Sequence, residues 1–336
     1  MQIKTHNTYQ RILIIAEIGN NHEGNIEVAR QMVRAAATCG VHAVKFQTFR
    51  TDLFVNQSDA ARYSRMQQFE LSQEEFSELA DLARSLGLLF ISTPLDLQSA
   101  RFLAPLVDCF KIASGDNNFY PLLEDVAESG KPVIISSGIS DLKQIRESKA
   151  LVEGVWQQNN THGELAVLHC VSNYPVEPEN ANLSAITNLQ REIGGTIGYS
   201  DHTLGVEACL LSVALGARII EKHFTLDKNY SDFRDHQMSA DPREMKELVE
   251  SVTRAAAMMG DGEKIVGDSE KEIMPLIRRS IVAARPLVSG HRVTSDDIMW
   301  LRPGNGLAPG KESQLLGKTI TRALNVGEPI QLKDVA

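Results

Sequence analysis

The run Ile219–Leu226, IIEKHFTL, begins and ends like a buried strand but carries Glu221, Lys222 and His223 in its middle. Burying three ionisable groups is costly unless they are paired, solvated or bound to a ligand. One strand-like run upstream, GYSDHT contributes His202. Histidines ending two neighbouring strands would sit about 5 Å apart at the backbone. With carboxylates nearby they suit a divalent ion such as Mn²⁺, Zn²⁺ or Co²⁺ with open positions. Glu221 or Asp201 would complete that set or orient the rings; two hydrogen-bonded core histidines are the alternative. Strand alternation turns Lys222 to the opposite face from Glu221 and His223. A second group comprises Lys45 and Lys111 with the hydroxyls of Thr93, Ser114, Ser136 and Ser200. Two ammoniums and several hydroxyl donors suit a ligand carrying phosphate and carboxylate. Lysines paired with Glu17 and Glu221 for structure alone are the competing reading.

These residues are presented by a repeating pattern. ILIIAEIG precedes a helical period from Ile26 to Cys39 that Gly40 closes. HAVKFQTF precedes SQEEFSELADLARSLG, which opens on a Ser72/Glu75 capping box and stops at Gly87. LLFISTPL, CFKIAS, PVIISSG, LAVLHCV, TIGYSDH and IIEKHFTL each precede a further helical run, ending with PREMKELVESVTRAAAMMG. Strands separated by helices must run parallel, and eight such units close a (β/α)₈ TIM barrel. The near-continuous apolar character of the strands fits burial on both faces, and no glycine-rich dinucleotide loop follows the first. In such a barrel the site lies at the C-terminal strand ends. There the polar residues gather, from Glu17, Lys45 and Gln47 on the first two strands to His169, Ser172 and Tyr174 on the sixth. The barrel is expected over residues 1–262, and the charged, turn-rich segment 263–278 reads as a linker. Residues 279–336, with short β-like pieces between Gly and Pro turns, read as a small β-rich second domain.

Composition narrows the function class. A net charge of −9 argues against a nucleic-acid binder, whose footprint is basic. There is no signal-peptide core and no apolar run long enough to span a bilayer. The four dispersed cysteines, with no CxxC pair, read as buried thiols. A cytoplasmic enzyme acting on small molecules, with no membrane or nucleic-acid partner, is expected.

The motifs AEIGNNHEGN, VKFQT, FISTP, KIASGD, ISSGI, HCVSNYP, GYSDHT and EKHFTL, followed by RRSIVAARPL and LRPGNGL, stand in one order along the chain. In them the sequence resembles the sialic acid synthase family, the N-acetylneuraminate, legionaminate and pseudaminate synthases, over essentially its whole length. The resemblance implies a TIM barrel with a C-terminal antifreeze-like (SAF) domain, working as a swapped homodimer. It implies metal-dependent condensation of phosphoenolpyruvate with an N-acetylated aldohexose to a nine-carbon 2-keto-3-deoxy acid and phosphate. His202 and His223 would then ligate the metal, Mn²⁺ ahead of Mg²⁺ or Co²⁺. Lys45, Thr93, Lys111, Ser114, Ser136 and Ser200 would hold phosphoenolpyruvate. Gln47, Tyr174 and Asp235 would meet the sugar, and Arg302 would reach the partner subunit's barrel and the sugar's N-acetyl group. Glu17 and Glu221 are equally placed to handle protons. Two departures bear on the sugar: DKNYSDFRDHQMSADP replaces the family's Pro-Gly-Pro-Asp-His loop, and Ser172 stands where an Asn is common. The segment from Arg50 to Leu71 is shorter than in pseudaminate synthases. A related condensation on a phosphorylated sugar is the rival chemistry; it needs a basic rim, for which Arg234 and Arg302 are the free candidates.

Overall fold

The computed structural model describes all 336 residues. Eight parallel strands, Leu13–Gly19, Ala43–Thr48, Leu89–Pro94, Cys109–Ile112, Val133–Ser136, Leu165–Cys170, Thr196–Asp201 and Ile219–His223, close a barrel in chain order, the last pairing with the first. The expected (β/α)₈ architecture is therefore present. Its helices form where local signals place them. Helix Ile26–Cys39 starts at Asn25, whose side chain accepts from the Glu27 and Val28 amides, and ends at Gly40 with φ of 83°. It buries Ala29, Met32, Val33, Ala36 and Cys39, one face at helical spacing. Each of its larger apolar side chains contributes about 1.5–3 kcal/mol on burial. The capping box at Ser72 and Glu75 starts helix Gln73–Ser85.

Strand parity decides what the barrel encloses. The lower interior is apolar: Leu13, Ile15, Ala43, Leu89, Ile91, Ile134, Leu168 and Ile219 form one buried cluster. Met1 and Ile3 join that cluster from an N-terminal hairpin, Gln2–Ile3 with His6–Asn7, and plug the barrel floor. The next inward positions up the same strands are Glu17, Lys45, Lys111, Ser136, Ser200 and Glu221. An apolar plug below and a polar layer above thus come from a single period of two.

Two helices fill the segment after the second strand, Thr51–Phe54 and Ala60–Phe69, neither anticipated from sequence. Phe49, Val55, Met66, Phe69 and Leu95 make a small core beneath them.

The chain divides into two compact units, Met1–Gly260 and Asp261–Ala336. The segment expected as a linker contains helix Asp268–Ile277. Within the second unit, strands Ser280–Ala283 and Ile298–Leu301 pair antiparallel. Ile281, Leu287, Val293, Leu315, Ile320, Leu324 and Ile330 supply its core. No helix of the chain is long and apolar enough to cross a membrane. All four cysteines are free and buried.

Candidate active site

A cavity of about 700 Å³ opens at the C-terminal ends of the barrel strands. Glu17, Lys45, Gln47, Lys111, Ser114, Ser136, Tyr174, Ser200, His202, Glu221, His223 and Asp235 all line it. Thr93 does not; it lies behind Lys45 and accepts a hydrogen bond from the ammonium at 3.3 Å. Arg302 belongs to the second unit, where it is exposed.

The floor is an interlocked set of charges. Lys45 Nζ lies 2.7 Å from Glu17 Oε2 and 3.8 Å from Glu221 Oε2. Ser200 donates to Glu221 Oε1 at 2.8 Å, and Lys111 donates to Ser136 Oγ at 2.6 Å. A bulge between Glu17 and Gly19 ends the first strand's regular pairing. Gly19 has φ of 54°, and a Cβ there would come within 3.0 Å of Glu17 Oε1. The glycine thus both permits the turn and leaves room for the carboxylate.

The two carboxylates, equivalent in sequence, differ in their surroundings. Burial pushes Glu17 above the ordinary carboxylate range, and Lys45 offsets this only in part. Burial also opposes the charge on Glu221, but Lys111, Lys45 and the Ser200 hydroxyl outweigh it and hold Glu221 below that range. Of the two, Glu17 therefore holds its proton to the higher pH, and Glu221 ionises first. Burial lowers Lys111, whereas Glu17 and Glu221 overcome burial at Lys45 and raise it.

His202 and His223 face each other with ring centroids 5.3 Å apart at 60°. His202 donates from Nδ1 to the Val171 carbonyl at 2.8 Å, which leaves Nε2 as the free nitrogen. Burial, reinforced by His202 and Lys45, holds His223 well below the ordinary imidazole range, so it is neutral. Its buried Nδ1 has no hydrogen-bond partner, an arrangement that costs about 1–3 kcal/mol without a ligand. The Nε2 of His202, once deprotonated, and the partnerless Nδ1 of His223 would suit a divalent ion. No group of three or more His, Cys, Asp and Glu side chains gathers in metal-holding geometry, so an ion bound here would take its remaining ligands from water or substrate oxygens.

Asp201 departs from the expectation that it would complete or orient the imidazole pair, whereas Lys222 lies on the opposite face, as strand alternation predicts. Asp201 points outward and takes no part in the imidazole pair. It accepts from Lys222 Nζ at 2.7 Å, from the Tyr199 hydroxyl at 3.0 Å and from the Thr203 amide at 2.8 Å. The out-of-phase lysine of the opening strand is thus buried against a carboxylate in the wall.

The rim holds residues that sequence reasoning missed. Arg62 and Arg65, on helix Ala60–Phe69, line the cavity beside Arg234, so Arg234 and Arg302 are not the only candidate rim cations. Asp59, Asp232 and Asp235 line the same edge and match their charge. Arg234 stacks over the Tyr174 ring at 4.8 Å, and that ring lies 4.2 Å from His202. The available signal was Asp59 as a cap, with Tyr63, Met66 and Phe69 at helical spacing behind it. A balanced rim of donors and acceptors suits a neutral polyhydroxylated ligand better than an anion, whereas the floor suits anionic groups.

Comparison with known proteins gives the family. Residues 32–264 match the NeuB family and residues 278–336 the SAF domain. The chain is 46% identical to an uncharacterised protein of Methanocaldococcus jannaschii, over 91% of this chain and 89% of that one. It is 40% identical to the N,N'-diacetyllegionaminic acid synthase of Legionella pneumophila, over 97% and 95%. The crystal structure of N-acetylneuraminic acid (sialic acid) synthetase from Leptospira borgpetersenii superposes with a TM-score of 0.73 at 35% identity, covering 78% of this chain and 90% of that one. The chain therefore belongs to the NeuB family of sugar-acid synthases, and is an enzyme, a transferase, whose barrel is followed by a SAF domain.

Proposed function

We propose that the protein condenses phosphoenolpyruvate with an N-acetylated aldohexose, giving a nine-carbon 2-keto-3-deoxy sugar acid and inorganic phosphate by C–O cleavage. The observation that carries the reading is the floor: Lys45 and Lys111 stand with Glu17, Glu221 and two facing imidazoles in one cavity. Lys45, Lys111, Ser114, Ser136 and Ser200 would bind the phosphate and carboxylate of phosphoenolpyruvate, with Thr93 steadying Lys45 from behind. Gln47, Tyr174 and Asp235 would meet the acceptor.

His202 and His223 would hold a divalent ion, Mn²⁺ ahead of Mg²⁺ or Co²⁺, which when bound supplies Lewis-acid polarisation of the acceptor aldehyde. The methylene carbon of phosphoenolpyruvate attacks that aldehyde carbon, forming the new C–C bond as the carbonyl oxygen takes a proton. Positive charge develops at the carbon bearing phosphate, and water adds there. The tetrahedral adduct collapses to the keto acid as its C–O bond to phosphate breaks. Glu17, which keeps its proton to higher pH, is suited to protonate the departing phosphate or the new alkoxide. Glu221, held ionised, is suited to stabilise the developing positive charge and take the proton of the attacking water.

For the acceptor, the balanced rim favours a neutral sugar over a phosphorylated one. The similarity to a legionaminic acid synthase favours a 2,4-diacetamido-trideoxyhexose beside N-acetylmannosamine; a pseudaminate-type product is the remaining alternative. Arg302 would contact the N-acetyl group in trans, within a swapped homodimer. Such an enzyme would work in the cytoplasm, where phosphoenolpyruvate is made.

The test is phosphate release from phosphoenolpyruvate with Mn²⁺ and either acceptor. Release that requires both acceptor and metal, and stops on chelation, is expected. No release with any N-acetylated aldohexose would overturn the reading.

A further inference from the structure

The loop after the last barrel strand is anchored at buried points. Thr225 Oγ1 lies 2.7 Å from His236 Nδ1, and the other ring nitrogen, Nε2, lies 3.1 Å from Glu23 Oε1. Ser231 donates to the same Glu23 oxygen. His236 is 1% exposed and does not line the cavity, so it touches neither substrate. A nitrogen lone pair facing a carboxylate would be repelled, so Nε2 carries a proton and donates it to Glu23. Glu23 adopts the left-handed region at φ of 48°, a conformation that costs an ordinary residue about 1 kcal/mol or more. On the far side of the loop, Phe233 packs edge-on against Phe69 at 5.2 Å. The two residues between these anchors, Arg234 and Asp235, line the cavity, as do Asp232 and Phe233 before them.

We propose that Glu23 and His236 are positioning residues. They latch the last βα loop to the first, and so hold Arg234 over Tyr174 and Asp235 towards the acceptor. The inference rests on the synthase reading for its kinetic consequence. The latch lies above the phosphoenolpyruvate floor, so breaking it weakens the acceptor and leaves phosphoenolpyruvate binding intact. A hydrogen bond to a charged group in this setting corresponds to about a tenfold change.

The test combines kinetics with an acceptor-independent measurement. Acceptor KM is measured at saturating phosphoenolpyruvate, using N-acetylmannosamine or the 2,4-diacetamido-trideoxyhexose, whichever the parent turns over. Affinity for phosphoenolpyruvate is measured by calorimetry, and hydrogen exchange is followed over residues 227–238. His236→Ala and Glu23→Ala should each raise acceptor KM about tenfold, with unchanged phosphoenolpyruvate affinity and faster exchange in the loop. The double variant should be less than additive, because the Glu23–His236 interaction is removed in each single variant. His236→Gln, whose amide can replace the Nε2 donor, should restore acceptor KM; His236→Asn, which reaches only Thr225, should not. The proposal is overturned if either alanine leaves acceptor KM and exchange unchanged, or if phosphoenolpyruvate affinity falls in step with the acceptor. Should the parent bind no phosphoenolpyruvate, the synthase reading fails, while exchange in the loop still decides whether the latch exists.

Discussion

Glu17 and Glu221 approach the same ammonium group, at 2.7 and 3.8 Å, and their neighbours separate their tasks. Because Glu17 is raised, the folded protein keeps its proton where the unfolded chain has released it. Its stabilising contribution is present below the ordinary carboxylate pKa and is lost as pH rises through the folded value. Glu221 is depressed, so its contribution is present above the ordinary value and is lost as pH falls through the folded one. Near neutral pH, Glu17→Gln should therefore lose less stability than Glu221→Gln, since burial already opposes the charge on Glu17. Glu221→Gln should lose about 3 kcal/mol by leaving buried lysines less neutralised, a deficit that closes in acid. Thermal melts across pH measure both; equal losses for the two variants at neutral pH would contradict the assignment. Residue identity alone could not separate these carboxylates, because both are Glu at a strand end, and only the distances to Lys45, Lys111 and Ser200 distinguish them.

At the scale of elements, close approach at two glycines separates site from scaffold. A Cβ on Gly138 would meet Ser172 Oγ at 2.4 Å and Ser114 Oγ at 2.5 Å. Gly138→Ala should displace Ser114 and raise KM for phosphoenolpyruvate about tenfold, with little change in melting. A Cβ on Gly198 would meet the Ile219 carbonyl at 2.5 Å and Leu168 Cδ2 at 2.5 Å. Gly198→Ala should instead cost about 1–3 kcal/mol of stability through overpacking between strands. Comparing KM with melting temperature for the pair checks both; a matching pattern in the two variants would refute the distinction. The eight strands and their helices were legible because each is announced locally, by an apolar run, a cap such as Ser72 with Glu75, or a closing glycine such as Gly40. Helix Ala60–Phe69 was not. Its surface is polar, and Tyr63, Met66 and Phe69 become an apolar face only against Phe49, Val55 and Leu95. With it went Arg62 and Arg65.

At the scale of the whole molecule, the second unit carries its own core and the proposed role for Arg302. Arg302→Ala should lower activity without lowering the melting transition, and so should His202→Ala. If Arg302 acts across a dimer, mixing the two inactive subunits should restore up to about a quarter of parental activity, from one intact site per mixed dimer. That fraction follows from random pairing of the two variants in a symmetric dimer. No recovery in subunits shown to exchange would rule out the contribution in trans.

The chain by itself determined the barrel, its strand order and the inward parity of Glu17, Lys45, Lys111, Ser200 and Glu221, since a period of two and eight repeats admit one closure. It also determined that His202 and His223 end neighbouring strands. Tertiary structure alone decided that Met1 and Ile3 plug the floor, that Asp201 turns outward to Lys222, that Glu17 holds its proton to higher pH than Glu221, and that His236 grips Glu23. Each of these depends on contacts between segments far apart in the chain, whose energies come from burial and distance rather than from any local preference.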